Sequence, residues 1–141
     1  MEAEVSKLLL NKVSYEEIAH LYPAIYQEVF GEYAWGHAPA FVYLCFYGTE
    51  YMGFISGYNH DIYTLYIQYA GYIDKWKGKA SALRILKDAL KELHKEYKFI
   101  LTMIRNDNSP ALRLTLAAGF EIIGTRQDTD KNLYVEFIKG G

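Results

Sequence analysis

The sequence predicts a single α+β (α/β) domain over residues 1–141, built on a mixed sheet of about six to seven strands with helices on both faces. Three observations predict it. Apolar, aromatic-rich runs at 41–47, 51–58 and 62–73 follow one another across short polar turns, the pattern of an antiparallel meander. A helix-forming stretch, 80–96, separates 62–73 from the apolar run 99–104, which makes those two strands parallel neighbours at the centre of the sheet. Two further runs, 120–123 and 133–138, close the chain around a polar turn.

Taken in order, residues 1–13 contain a short apolar run suited to an edge strand. Ser14 then reads as an N-cap, with Glu16 and Glu17 in the first turn and Ile18, Leu21, Tyr22, Ile25, Val29 and Phe30 at helical spacing. Pro23 kinks this helix or divides it in two. Gly31 to Pro39 is a loop rich in glycine and aromatics, whose Trp35 and His37 form either a lid over a pocket or a hydrophobic plug. Gly48-Thr-Glu and Asn59-His-Asp punctuate the meander. Helix 80–96 carries Leu83, Leu86, Leu90 and Leu93 on one face. The second helix, Ala111–Ala118, takes Asn108 or Ser109 as its cap, Pro110 in its first turn and Gly119 as its left-handed stop.

Composition bounds the function. Half of the residues are hydrophobic and 16% are aromatic, so the chain is neither disordered nor of low complexity. A net charge of −2 gives no overall attraction for nucleic acid or an acidic membrane, so anion binding must be local. The single Cys45 excludes an intrachain disulfide and a cysteine-based zinc cluster, and its apolar surroundings read as core. No apolar segment approaches the ~20 residues of a membrane span, and the cytoplasm is the expected compartment. Among the fourteen tyrosines, most sit in strand-like runs, where cross-strand packing accounts for them.

The stretch Tyr72-Ile-Asp-Lys-Trp-Lys-Gly-Lys-Ala-Ser-Ala-Leu83 carries the chemistry. An aromatic strand enters it, a basic loop with Lys75, Lys77, Gly78 and Lys79 turns it, and Ala80, Ser81 and Ala82 open a helix. The first turn of a helix leaves backbone N–H groups unpaired and favours negative charge, and small side chains let a ligand approach them. The arrangement reads as a phosphate cradle, or else as an ordinary connection with solvated lysines.

Two blocks then resemble those of the GCN5-related N-acetyltransferase (GNAT) superfamily. Lys77 stands at the Arg/Gln position of the acyl-CoA loop, with Ala80 and Ala82 at its two small-residue positions. Asn108-x-x-Ala111-x-x-Leu114 followed by Gly119-Phe120 is similar to the family's Asn-x-x-Ala-x-x-Leu-Tyr-x-x-x-Gly-Phe block, with every spacing kept. The resemblance implies that pantetheine lies between splayed strands 62–73 and 99–104. Backbone groups of Ala70, Gly71 and Tyr72 would bond it, N–H groups from Gly78 to Leu83 (Gly78, Lys79, Ala80, Ser81, Ala82, Leu83) would hold the pyrophosphate, and Asn108 would contact the arm.

The acid–base positions depart from the family. Tyr66 stands where many members have a glutamate six residues before the hydrophobic loop residue. Met103 stands at the other common glutamate position, and Thr115 replaces the usual general-acid tyrosine. The resemblance places Thr115 near the thioester sulfur, with Tyr66 and Gln68 lining the acceptor side. Water relays, Gln68, His60 or His37 are the alternatives for a base. The implied activity is acyl-CoA-dependent N-acyl transfer, acetyl from acetyl-CoA to an amine of a small molecule or protein, with no metal. The alternative is a catalytically inactive relative that binds CoA or serves as an assembly or interaction module. Nucleic-acid and membrane partners are not expected, and the oligomeric state stays open, with a homodimer one arrangement.

Overall fold

The computed structural model describes residues 8–32, 38–77 and 82–141. Trp35, His37 and the loop positions Gly78, Lys79, Ala80 and Ser81 lie outside those residues. Within them the chain runs β1 (Leu8–Ser14), α1 (Tyr15–Ile18), α2 (Tyr22–Phe30), β2 (Phe41–Tyr47), β3 (Glu50–Asp61), β4 (Thr64–Tyr72), α3 (Ala82–Leu93), β5 (Phe99–Arg105), α4 (Ser109–Ala117), β6 (Glu121–Gln127) and β7 (Leu133–Gly140). All strands join one sheet in the order β1-β2-β3-β4-β5-β7-β6. Every pairing is antiparallel except β4 with β5. The expected mixed sheet, its parallel pair and the helices on both faces are all present.

The local signals act as their chemistry dictates. The Ser14 hydroxyl accepts from the Glu17 N–H at 3.4 Å, Pro23 sits in the first turn of α2, and Gly31 stops that helix at φ 74°. The chain therefore divides into two helices before Pro23. Asn108 caps α4, its Oδ1 accepting from the Ala111 N–H at 3.3 Å, and Gly119 follows the helix at φ 101°.

One turn differs from expectation. The β3–β4 hairpin closes at Ile62-Tyr63, not at Asn59-His-Asp. Asn59 still pairs with Leu65, and the Asp61 carboxylate accepts from the Tyr63 N–H at 2.8 Å, so a side chain builds the turn two apolar residues later.

Two apolar clusters flank the sheet. The larger one packs Ile85, Ala89, Leu90 and Leu93 of α3 against Cys45, Met52, Ile55, Leu65, Ile67, Ile100 and Phe137. The other seats Ile18, Tyr22, Tyr26 and Val29 on Val42 and Phe54. Thus α3 and α4 cover one face, and α1 and α2 cover the opposite face over the β2–β4 part. No described helix is long and apolar enough to cross a membrane.

Candidate functional site

The site begins where two neighbouring strands part. The β4–β5 ladder runs from Thr64/Phe99 to Ile67/Thr102 and stops, although both strands continue. A bulge in β4 marks the same point. Ser56 pairs with Tyr69 and Gly57 with Ile67, so Gln68 is the extra residue. Gly57 permits this close approach, because a Cβ there would meet the Tyr66 carbonyl oxygen at 2.0 Å. The Thr102 hydroxyl donates to the Ile67 carbonyl at 3.1 Å and closes off the last rung.

Beyond that rung the strands enclose an apolar cavity of about 160 Å³ under α3 and α4. Ala70, Gly71 and Tyr72 of β4 line it, facing Thr102 and Ile104 of β5 and Ala111, Leu114 and Thr115 of α4. Backbone groups along a strand point alternately to either edge. The Ile73 N–H donates to the Met52 carbonyl of β3 at 2.8 Å, and the Gly71 carbonyl likewise faces Gly53 of β3. The gap-facing backbone is therefore that of Ala70 and Tyr72. Gly71 serves differently: its missing Cβ would stand 2.5 Å from a Val29 methyl, so its smallness lets α2 sit close to β4.

The cavity's chemistry fits a pantetheine arm, which needs an apolar slot together with a strand edge for its amides. At its outer end the Tyr72 hydroxyl donates to the Ala82 carbonyl at 2.9 Å, fixing the start of α3 beside the slot. Burial pushes the Tyr72 hydroxyl pKa up, which keeps it a donor. Leu83 packs on the main core. Two loop lysines are engaged elsewhere. Lys77 donates to the Val29 carbonyl at the end of α2 and pairs with Asp74 at 3.1 Å, and Lys75 pairs with Glu50. An anion at this helix start would thus rely on backbone N–H groups more than on Lys75 or Lys77.

Thr115 lies on the cavity wall, 8% exposed, with its hydroxyl donating to the Ala111 carbonyl at 2.7 Å. Its oxygen keeps accepting capacity toward the slot. Cys45 also lines the cavity, and burial pushes its thiol up to about 12, which leaves it unreactive. Tyr66 and Gln68 do not join Thr115 on that wall. Tyr66 pairs with Leu101 and so projects from the opposite face, stacked on Tyr58 with ring centroids 5.1 Å apart. Burial raises the Tyr66 pKa, followed by Tyr58, while Arg126 lowers it and Glu136 raises it. The Gln68 side-chain oxygen is buried without a hydrogen-bond partner among the described residues. Asn108 is spent on capping α4, His60 is exposed, and no group of three potential metal ligands occurs among the described residues.

One carboxylate near the site was not placed there by sequence reasoning. Glu136 of β7 is paired directly with Met103 and projects on the same face as Tyr66. Only the β5–β7 register reveals that position.

No protein-family model and no curated protein sequence matches the chain. Solved structures do match. Ard1 from Thermoplasma volcanium superimposes with a TM-score of 0.68 at 17% identity, over 95% of this chain and 97% of that one. A GNAT family acetyltransferase from Elizabethkingia anophelis with acetyl-CoA bound gives 0.65 at 16% identity, over 96% and 99%. The ribosomal-protein-S18-alanine N-acetyltransferase from Escherichia coli gives 0.67 at 13% identity, over 94% and 93%. Splayed parallel strands, a slot between two helices and agreement over nearly the whole length lead to one conclusion: this chain has the fold of the GCN5-related N-acetyltransferases.

Proposed function

We propose that the protein is an acyl-CoA-dependent N-acyltransferase, moving an acetyl group from acetyl-CoA to an amine of a small molecule or protein. The observation that carries this reading is the abrupt end of the β4–β5 ladder, which opens an apolar slot through the sheet. Acetyl-CoA supplies the activated acyl group. In this reading the backbone of Ala70 and Tyr72 bonds the pantetheine amides, and Ala82 and Leu83 contribute N–H groups to a pyrophosphate site completed by residues 78–81. Asn108 and Thr115 flank the arm from α4. An amine arriving from the Tyr66 face would meet the thioester inside the gap, because Tyr66 and Thr115 lie on opposite sides of it. The preserved geometry supports catalysis chiefly by positioning. The reaction is assigned to a reducing cytosol, in keeping with the lone buried thiol.

A second reading, CoA binding without transfer, is favoured by one observation: the Thr115 hydroxyl already donates within its own helix. Calorimetry with acetyl-CoA and CoA, followed by release of free thiol in the presence of primary amines, tests both. Micromolar binding with amine-dependent thiol release is the expected result. Binding without release supports the second reading, and no binding removes both.

A further inference from the structure

We propose that Glu136, on the sheet face that also carries Tyr66 and Tyr134, is the group that receives the acceptor's ammonium and takes its proton. This rests on the acyltransferase reading and supplies the proton acceptor that reading lacks.

On the face opposite the cavity, α1 and α2 cover the β2–β4 part, and among the described residues no helix covers the β5–β7 part. There the register lines up Tyr66 with Leu101, Met103 with Glu136, and Arg105 with Tyr134. Directly opposed side chains stand about 5 Å apart, so Glu136 lies one strand away from Met103, the residue that follows the last β4–β5 rung. It is the closest carboxylate in sheet register to the gap on that face.

Two other acids of this part of the sheet are committed, while Glu32 after α2 is exposed and acts on Tyr69 from outside the sheet. Asp107 pairs with Arg105, and Asp128 binds the N–H groups of Asp130 and Asn132 and the Tyr134 hydroxyl. Among the described residues Glu136 has one ion-pair partner, Arg126 of β6, whose Nε lies 3.1 Å away, and its side chain is 29% exposed. The bidentate surface of a carboxylate leaves an oxygen for a second cation. Tyrosine rings beside it favour a cation as well. A half-buried anion one strand from the gap, close enough to act electrostatically on Tyr66 and two residues from Tyr134 on its own strand, has the chemistry of an ammonium site.

Acceptance balances simply. The ammonium gives one proton to the Glu136 carboxylate, and the freed nitrogen lone pair forms the C–N bond as the C–S bond breaks. The second proton passes from nitrogen to the departing thiolate, and Glu136 returns its proton to water. Thr115, on the far wall, is placed to bridge a water toward that sulfur. The inferred substrate class is therefore a primary amine that is cationic in solution.

The test compares wild type, Glu136→Gln, and Glu136→Gln combined with Met103→Glu, which moves the carboxylate across the same rung. Acetyl-CoA affinity is measured by calorimetry, folding by thermal midpoint, and turnover by thiol release with a free-N-terminus tripeptide, tyramine and spermine. Glu136→Gln should lower turnover about 100-fold with acetyl-CoA affinity within about twofold, and the double variant should recover at least about tenfold. Met103→Glu alone is the control: rescue of Glu136→Gln beyond the gain Met103→Glu gives the wild type shows that Glu136's carboxylate is what was lost. Undiminished turnover in Glu136→Gln, or loss without recovery in a folded double variant, overturns the role of Glu136 alone. Wild type that fails to bind acetyl-CoA overturns the acyltransferase reading, and this inference with it.

Discussion

Thr115 has a hydroxyl with two possible duties. Its proton goes to the Ala111 carbonyl at 2.7 Å, a bond that returns to the residue's own helix, while its oxygen borders the slot. A back-bond of this type adds little stability, because the carbonyl is already part of the helix ladder. Thr115→Val keeps the branched shape and replaces the hydroxyl with a methyl. Its thermal midpoint should stay within about 1 kcal/mol of wild type in stability terms. If the oxygen bridges to sulfur, turnover falls about tenfold at unchanged acetyl-CoA affinity, as single-turnover and calorimetric measurements would show. Unchanged turnover reduces Thr115 to a packing residue. The same scale explains why Glu136 was not visible in the sequence. Tyr66, Met103 and Thr115 are found by counting from motifs within one stretch, whereas Glu136 comes beside Met103 only through the pairing of β7 with β5, which no local spacing encodes.

At the scale of the element, β4 is two strands in one. Its first half belongs to the parallel ladder and buries Leu65 and Ile67 on the α3 face. After the bulge at Gln68 the alternation inverts, so Tyr69 and Ile73 pack with α2 while Tyr72 reaches the α3 side. Gly57 makes the inversion possible. Gly57→Ala would drive a methyl to within 2.0 Å of the Tyr66 carbonyl oxygen, where backbone and not a flexible side chain must yield. The expected cost is about 3 kcal/mol in chemical denaturation, with acetyl-CoA affinity reduced in the surviving fold because the gap narrows or shifts. Denaturation at the wild-type midpoint would show that the bulge tolerates a side chain. The meander, both helix caps and the break before Pro23 were legible because each rests on nearby residues, and the parallel pair because a helix-forming stretch separates its two strands. The bulge was not: an extra residue in a run of tyrosines leaves the composition of the strand unchanged. The shift of the hairpin to Ile62-Tyr63 was hidden for a related reason, since a carboxylate at Asp61 overrode the apolar character of the two residues after it.

For the molecule as a whole, the decisive fact is how little main chain joins the left of the sheet to the right. Among the described residues, four ladder pairs, Thr64–Ile67 with Phe99–Thr102, and the Lys98 and Phe99 N–H groups donating to the Tyr63 carbonyl join the β1–β4 half to the β5–β7 half. Everything past them is a seam held from one side by α3 and α4. A ligand lodged in that seam would act as a rivet, tying Ala70 and Tyr72 on one bank to α4 on the other. Its grip would be felt as lost mobility across both banks, far beyond the atoms it touches. Hydrogen exchange should therefore slow on acetyl-CoA addition at the β4 amides after Gln68, at β5 from Met103 onward and through α4, while β1 and β2 stay unchanged. Protection restricted to the helix start at Ala82 would mean that the nucleotide end binds and the seam remains open. In mechanical terms, the unfinished ladder would make a bound substrate a structural member of the sheet, and the protein would be at its stiffest while loaded.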